Sequence, residues 1–221
     1  IYRLSETSEV RDRRFEFIIL EDESINAFAA PGGIIGINLG MFLNTQREGE
    51  LASVMCHELA HLSQRHYARS QNRSSPLANA LMILGSIAVA AASRNPEAIV
   101  IAPAAMQQMS INYTRSNEKE ADRIGFNNLV KAVFDPNDMT MMFQRMQDKY
   151  QREDSEQFSY LMTHPLPSER LTDMRIRADN ISKPSEGSFR DNLDFYFMQK
   201  RSEIWAEKDT KELIKKYIKD L

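Results

Sequence analysis

Along the chain the spacing of apolar positions switches between a strand-like and a helix-like period, and each switch marks an element. Arg14–Leu20 (RFEFIIL) packs aromatic and β-branched residues into one short run, the composition of a strand, and Glu21-Asp22-Glu23 ends it. In Ala27–Gly40 (AFAAPGGIIGINLG), Pro31 and Gly32-Gly33 break short apolar runs, which predicts a hairpin or a pair of strands. The glycines and alanines there either leave room for another backbone to approach or serve an ordinary turn.

Helical spacing then takes over. Thr45-Gln46-Arg47-Glu48 has the capping-box form, and the helix it opens carries Leu51, Val54, Met55, Leu59 and Leu62 on one side. At about 100° per residue these five cover about 140° of the wheel, with His57 and His61 beside the arc and Glu58 inside it. A carboxylate in an apolar arc is costly to bury without a partner. Leu77–Ser93 and Ala98–Met109, split by Arg94-Asn95-Pro96, predict a helical hairpin that packs in the core, acts as a lid, or touches a membrane or partner. Its first arm, Leu77–Ala92, holds 16 uncharged residues, short of the ~20 that span a bilayer as a helix.

Thr114–Val130 reads as a further helix, polar early and apolar later. Asp135-Pro136-Asn137 starts another, with Met139, Met142, Phe143 and Met146 as core filler. His164-Pro165-Leu166-Pro167 is a rigid loop, and Ser168 is placed to cap a helix running to about Asn180. Ser182–Gly187 has a linker composition, and Asn192–Leu221 reads as one or two charged amphipathic helices. The expected organisation is therefore a domain over residues 1–181, a linker over 182–191 and a helical extension over 192–221, without internal repeats.

Composition narrows the class. The 221 residues carry 28 basic and 31 acidic side chains, a net charge of −3, with 42% hydrophobic and 27% charged positions. A disordered or collagen-like chain is excluded, and one domain with an appendage fits the length. No cluster of Lys and Arg offers a footprint for nucleic acid. The single cysteine, Cys56, excludes an internal disulfide framework and leaves the redox compartment open. The chain opens Ile1-Tyr2-Arg3 without a secretory signal, as expected of a processed or cut sequence.

His57-Glu58-Leu59-Ala60-His61 is H-E-x-x-H, placed on the predicted helix that gives the pattern its meaning. Residues four apart lie one turn along the same face, so two imidazoles can grip one zinc ion while Glu58 stands beside the metal unbound. Glu58 can take a proton from water that the metal has made acidic and later deliver it to a leaving amine. A buried helix bearing two histidines and a carboxylate would otherwise need three separate hydrogen-bonding arrangements.

A zinc peptidase needs a third protein ligand. His66, five residues past His61, lies about 500° round the helix and so points away, as a structural or solvent-facing residue. No histidine has the metzincin spacing, which leaves a downstream carboxylate. In Arg115-Ser-Asn-Glu118-Lys-Glu-Ala121-Asp122, Glu118 and Asp122 share a helix face. Glu118 can then bind the metal while Asp122 accepts a hydrogen bond from the free ring nitrogen of a ligand histidine. Glu120, about 200° away, is expected to face water, and a solvated acidic helix is the alternative for the whole segment. Ala121 and Gly125 are small enough to let this helix cross close to that of His57.

Asn26-Ala-Phe-Ala-Ala-Pro-Gly-Gly33, His57-Glu-Leu-Ala-His61, Arg115-x-x-Glu118-x-x-Ala121-Asp122, and the later His164-Pro165 and Glu169-Arg170-Leu171 occur in this order over about residues 10–180. In them the chain resembles the HtpX and CaaX-prenyl-protease family of gluzincin metallopeptidases. Within the family it is most similar to the soluble periplasmic branch found in Gram-negative bacteria; the membrane-embedded members carry several long apolar spans that this chain lacks. The resemblance implies an α+β, mainly helical gluzincin fold with a small twisted β-sheet beside the active-site helix. It implies His57, His61 and Glu118 as ligands of one Zn2+ per chain, Glu58 as general base, and Asp122 as the residue orienting a ligand histidine. It implies that Asn26, Ala27, Phe28, Ala29 and Ala30 belong to an edge strand pairing with extended substrate. For His164 it implies either a latch on the metal's fourth position or a donor to the tetrahedral oxyanion. Arg170 is a further oxyanion candidate, against plain pairing with a carboxylate.

The function so implied is a zinc endopeptidase that cleaves unfolded or misassembled proteins in the periplasm. Its partners would be outer-membrane β-barrel proteins and their assembly machinery, with no nucleic acid. The rival is a zinc-stabilised chaperone or assembly factor with a normally shut protease site, making peripheral contact with a membrane or partner through residues 77–109. The branch continues into a tetratricopeptide array, of which this chain holds about one helical unit, and the periplasmic assignment rests on the resemblance alone.

Overall fold

The computed structural model describes residues 1–30, 32–73, 98–152, 160–161, 164–181 and 193–207. In chain order the elements are α1 (Tyr2–Thr7), β1 (Glu16–Leu20), β2 (Ala27–Ala30), β3 (Ile34–Asn38), α2 (Leu39–Asn44), α3 (Glu48–Ser63) and α4 (His66–Arg73). They continue with α5 (Ala98–Lys131), α6 (Asn137–Arg152), α7 (Ser168–Asp179) and α8 (Leu193–Ala206). The fold is thus α+β and mainly helical, with one small mixed sheet, as expected.

The sheet has the order β1-β3-β2, with β1 parallel and β2 antiparallel to β3. The glycine-rich stretch makes a hairpin and also permits close approach. Gly32 and Gly33 turn the chain at φ +93° and +81°, where a side chain would be strained, and a Cβ on Gly33 would overlap the Arg14 carbonyl. Phe28 stands opposite Gly36 and lays its ring over the space where a side chain would be. The Asn38 N–H donates to the Asn26 carbonyl at 3.0 Å. Antiparallel strands alternate their bonding direction, so Phe28 and Ala30 also bond inward, and the backbone groups of Ala27 and Ala29 face the open edge.

α3 is the central helix, packed against β2, α5 and α6. From Ala52 to Ala60 every residue is buried, so the apolar arc of the wheel has widened to the whole circumference, while Leu51 and Leu62 at its ends are only half-buried. The expected capping box does not form. Thr45 closes the preceding helix instead, its hydroxyl donating to the Met41 and Phe42 carbonyls at 3.1 and 3.3 Å. Glu50 takes over at the start of α3, accepting from the Gln46 N–H at 2.6 Å and from Arg145 Nη2 at 2.9 Å.

Two segments expected as separate helices, 98–109 and 114–130, form one continuous helix of 34 residues, α5. It crosses α3 where Ala121 is fully buried and where a Cβ on Gly125 would sit 3.0 Å from His57 Cα and N. α6 buries Met139, Met142, Phe143 and Met146 in the core, as expected. α7 has Pro167 at its cap position, so Ser168 is its first helical residue rather than the cap. α8 lies on α2, with Gln199 Nε2 donating to the Thr45 carbonyl at 2.6 Å. The apolar arm Leu77–Ser93 and the linker 182–191 lie outside the described residues. Among the described residues no helix is long and apolar enough to cross a membrane.

Candidate metal centre and active site

α3 presents His57 and His61 one turn apart, as the spacing predicts, with their Nε2 atoms 2.9 Å from each other. α5 brings Glu118 across: one carboxylate oxygen lies 3.3 Å from His57 Nε2 and the other 3.3 Å from His61 Nε2. The loop before α7 adds His164, whose Nδ1 is 3.1 Å from each Glu118 oxygen. Ligand atoms of these four residues all lie within 4.8 Å of one another. Atoms bound at about 2.1 Å around a tetrahedral ion are about 3.4 Å apart, so the His57, His61 and Glu118 spacings fit a zinc-sized ion with little movement.

The electrostatics ask for a positive charge at this point. Burial alone would lower the His57 pKa, yet the carboxylates of Asp122 and Glu118 outweigh it and raise it to about 9. Burial would raise Glu118, but His164, His57 and His61 around it hold its carboxyl far below the ordinary range. For His61 burial wins and the pKa falls, leaving the neutral ring that a metal requires. Glu58 is buried in the wall of the same site; among the described residues its Oε1 has no hydrogen bond, and it lies 3.7 Å from His164 Nε2. A buried carboxylate beside the His57, His61, Glu118 and His164 group is placed to act on something bound there.

Behind His57, His61 and Glu118 stands a support of buried charges. His57 Nδ1 lies 3.0 Å from Asp122 Oδ1, close but poorly aligned for a straight hydrogen bond. Arg170 holds Asp122 in a two-pronged grip, Nε at 2.6 Å and Nη2 at 2.7 Å, while Nη1 donates to the Pro165 carbonyl at 2.6 Å and approaches Glu118 at 3.0 Å. Arg170, an oxyanion candidate in the sequence, is only 3% exposed and has its guanidinium committed to these carboxylates. The alternative, pairing with a carboxylate, is what the geometry displays. The Tyr160 ring stacks on His164 at 4.6 Å between ring centres, and the Tyr160 backbone carbonyl accepts the His164 N–H at 2.7 Å. Nothing in the apolar pattern singled out Tyr160, although an aromatic four residues before a histidine was available to be read.

Two expectations are corrected. His66 does not point away: it is 4% exposed, and its Nδ1 lies 2.9 Å from His61 Nδ1. Glu120 does not simply face water: its Oε2 is 2.9 Å from His66 Nε2 and accepts from Arg69 Nη1 at 3.0 Å. The wheel argument assumed that α3 continues through His66. It ends at Ser63, and Arg65 adopts a left-handed φ of +55° that swings the chain back toward the site.

The site opens on a cleft of about 1460 Å³ whose walls include Asn26, Phe28 and Ala29 from the β2 region together with Glu58, His61 and His164. A buried helix with paired histidines, a carboxylate brought to them by a second helix, a buried glutamate and a sheet edge beside one cleft are an arrangement that fits a metallopeptidase. The sequence profile of peptidase family M48 matches residues 1–178, and the chain belongs to that family. Among its relatives, a Vibrio cholerae protein provisionally named β-barrel assembly-enhancing protease is 50% identical over 169 residues, 74% of this chain and 34% of its own. The β-barrel assembly-enhancing protease of Escherichia coli is 39% identical over 195 residues, 85% of this chain and 39% of its own. The mitochondrial metalloendopeptidase OMA1 of Schizosaccharomyces pombe is 28% identical over 169 residues, 76% of this chain and 48% of its own. The chain thus spans little more than a third of the length of the bacterial relatives it matches.

Proposed function

We propose that this chain is the protease unit of a zinc-dependent endopeptidase that cleaves unfolded or misassembled proteins, outer-membrane β-barrel proteins among them, in the periplasm of a Gram-negative bacterium. The observation that carries the reading is one cleft lined by Glu58, by His61 and Glu118 of the possible metal group, and by Asn26, Phe28 and Ala29 at the β2 edge. Zinc and the substrate class are supported by the donor chemistry and by the relatives' names.

His57, His61 and Glu118 would hold the ion, and a bound zinc polarises a carbonyl and acidifies water. Substrate lies along β2 as an added strand, bonded to the outward backbone groups of Ala27 and Ala29. Asn26, Phe28 and Ala30, bonded toward β3, hold the template rigid. Glu58 Oε1 takes the proton of the attacking water and returns it to the leaving amine. Asp122, gripped by Arg170, keeps the His57 ring oriented. His164, 3.1 Å from both Glu118 oxygens, is read as a latch whose withdrawal would admit substrate.

Metal content and hydrolysis of casein and of an unfolded β-barrel protein, measured together, test this. Wild type should hold one zinc per chain, and Glu58→Gln should keep it while losing roughly 10²- to 10⁴-fold in rate. His164→Ala should raise activity. Ala29→Pro removes an outward N–H without touching the ladder, and should raise KM with zinc retained. Zinc without hydrolysis in both wild type and His164→Ala would favour the assembly-factor role instead.

A further inference from the structure

We propose that His66 and Glu120, with Arg69 behind them, form an outer arm of the metal centre that fixes the ring of His61. His57 and His61 turn their Nε2 atoms toward each other and toward Glu118, so the Nδ1 atom of His61 faces the other way, 2.9 Å from His66 Nδ1. An Nε2 lone pair offered to an ion leaves the His61 proton on Nδ1. That proton is donated to His66 Nδ1, which must then be bare, and the His66 proton sits on Nε2. There it meets Glu120 Oε2 at 2.9 Å, an oxygen also held by Arg69 Nη1 at 3.0 Å. With both rings neutral and His61 Nε2 kept bare for an ion, this pattern joins a donor to an acceptor at each close pair along the line. The reverse pattern puts the His61 proton on Nε2, among the atoms that would bind the ion.

The two ligand histidines are therefore oriented differently. His57 has a carboxylate, Asp122, directly behind it at 3.0 Å; His61 reaches its carboxylate through an intervening imidazole. The burial of His66, 4% exposed beside a half-buried Glu120, shields this line from competing water. The left-handed turn at Arg65 is the backbone feature that makes it possible, because it starts α4 at His66 beside His61. His66 and Glu120 are thus positioning residues: neither touches substrate or metal, and both act through His61.

The inference rests on the reading of His57, His61 and Glu118 as metal ligands. Zinc affinity, measured by competition with a chromophoric chelator on the full chain, tests it together with long-range 1H–15N NMR of the histidine rings in the zinc-loaded protein. His66→Phe keeps the ring volume but offers no acceptor, and should weaken zinc binding roughly 10- to 100-fold, the usual effect of removing such a partner. His66→Gln, which can accept from His61 and donate to Glu120, should restore affinity to within a few-fold of wild type. Glu120→Ala, at a position partly open to water, should weaken binding several-fold and decides the matter should His66→Phe fail to fold. The His61 Nδ1 proton should be visible in wild type and lost in His66→Phe. Folded variants binding zinc as tightly as wild type, or His66→Gln as harmful as His66→Phe, would overturn the arm. A wild-type chain that takes up no zinc would instead overturn the metal assignment itself.

Discussion

Asp138 is an acid in a place that disfavours its charge. It is 1% exposed in the first turn of α6 and packs so tightly on Gly49 that a Cβ there would overlap its carboxylate. Burial raises its pKa, and Arg47 at 3.0 Å offsets this only in part, so the carboxyl titrates at about 7 rather than 3.8. The folded state therefore holds this proton more tightly than the unfolded chain does. Its stabilising contribution is complete below about pH 4 and is lost as pH rises through about 7, at up to about 1.4 kcal/mol per pH unit in between. Denaturant unfolding of wild type and Asp138→Asn at pH 5 and pH 8 should show the wild type losing on the order of 2–4 kcal/mol across that interval relative to the variant. Equal pH dependence in the two would show that another group is responsible. At this scale legibility depended on how spacing maps onto geometry. His57, Glu58, His61, Glu118 and Asp122 could be read because one helical turn places each pair on a face, whatever surrounds it. Asp138, Glu50 and His66 could not, because their burial comes from other elements or from a left-handed residue that no helical wheel anticipates.

The crossing of α3 and α5 is the element-level device that assembles the site. Small residues at Ala121 and Gly125 were readable as permission for a close approach, and the backbones do meet there, with the space for a Gly125 Cβ only 3.0 Å from His57. Gly125→Ala should force the helices apart by a few tenths of an ångström, cost about 1–3 kcal/mol in unfolding experiments, and weaken zinc binding because Glu118 rides on the displaced helix. Unchanged zinc affinity alongside unchanged stability would mean that the crossing has slack. The continuity of α5 escaped sequence reading for a related reason. Its polar middle, around Glu118 and Asp122, interrupts the apolar run as a helix boundary would, yet that polarity belongs to the site. α2 escaped because six residues are too few to show a period, and its presence in turn diverted Thr45 from the capping role its sequence context suggested.

For the whole molecule, a metal held by His57, His61 and Glu118 would join two helices that are far apart in sequence, in a chain whose only cysteine is free and buried. Binding to the folded form alone stabilises it by about 4 kcal/mol at a thousandfold excess over Kd, and for a chain of this size each kcal/mol moves Tm by about 2–4 °C. Chelation should therefore lower the melting temperature by roughly 10 °C, readable by differential scanning fluorimetry, with recovery on adding zinc; no shift would separate the metal from the fold. The order of segments and the class of fold were legible because motif spacing constrains them, whereas the lodging of α8 on α2 through Gln199 depends on a backbone carbonyl that carries no sequence signal. Arg73 and Ala98, finally, end one helix and begin another whose places are already settled, α4 by Glu120 and α5 by its crossing with α3. What sets the places of His66 and Glu118 is thus contact between helices, not the path the chain takes from one to the other.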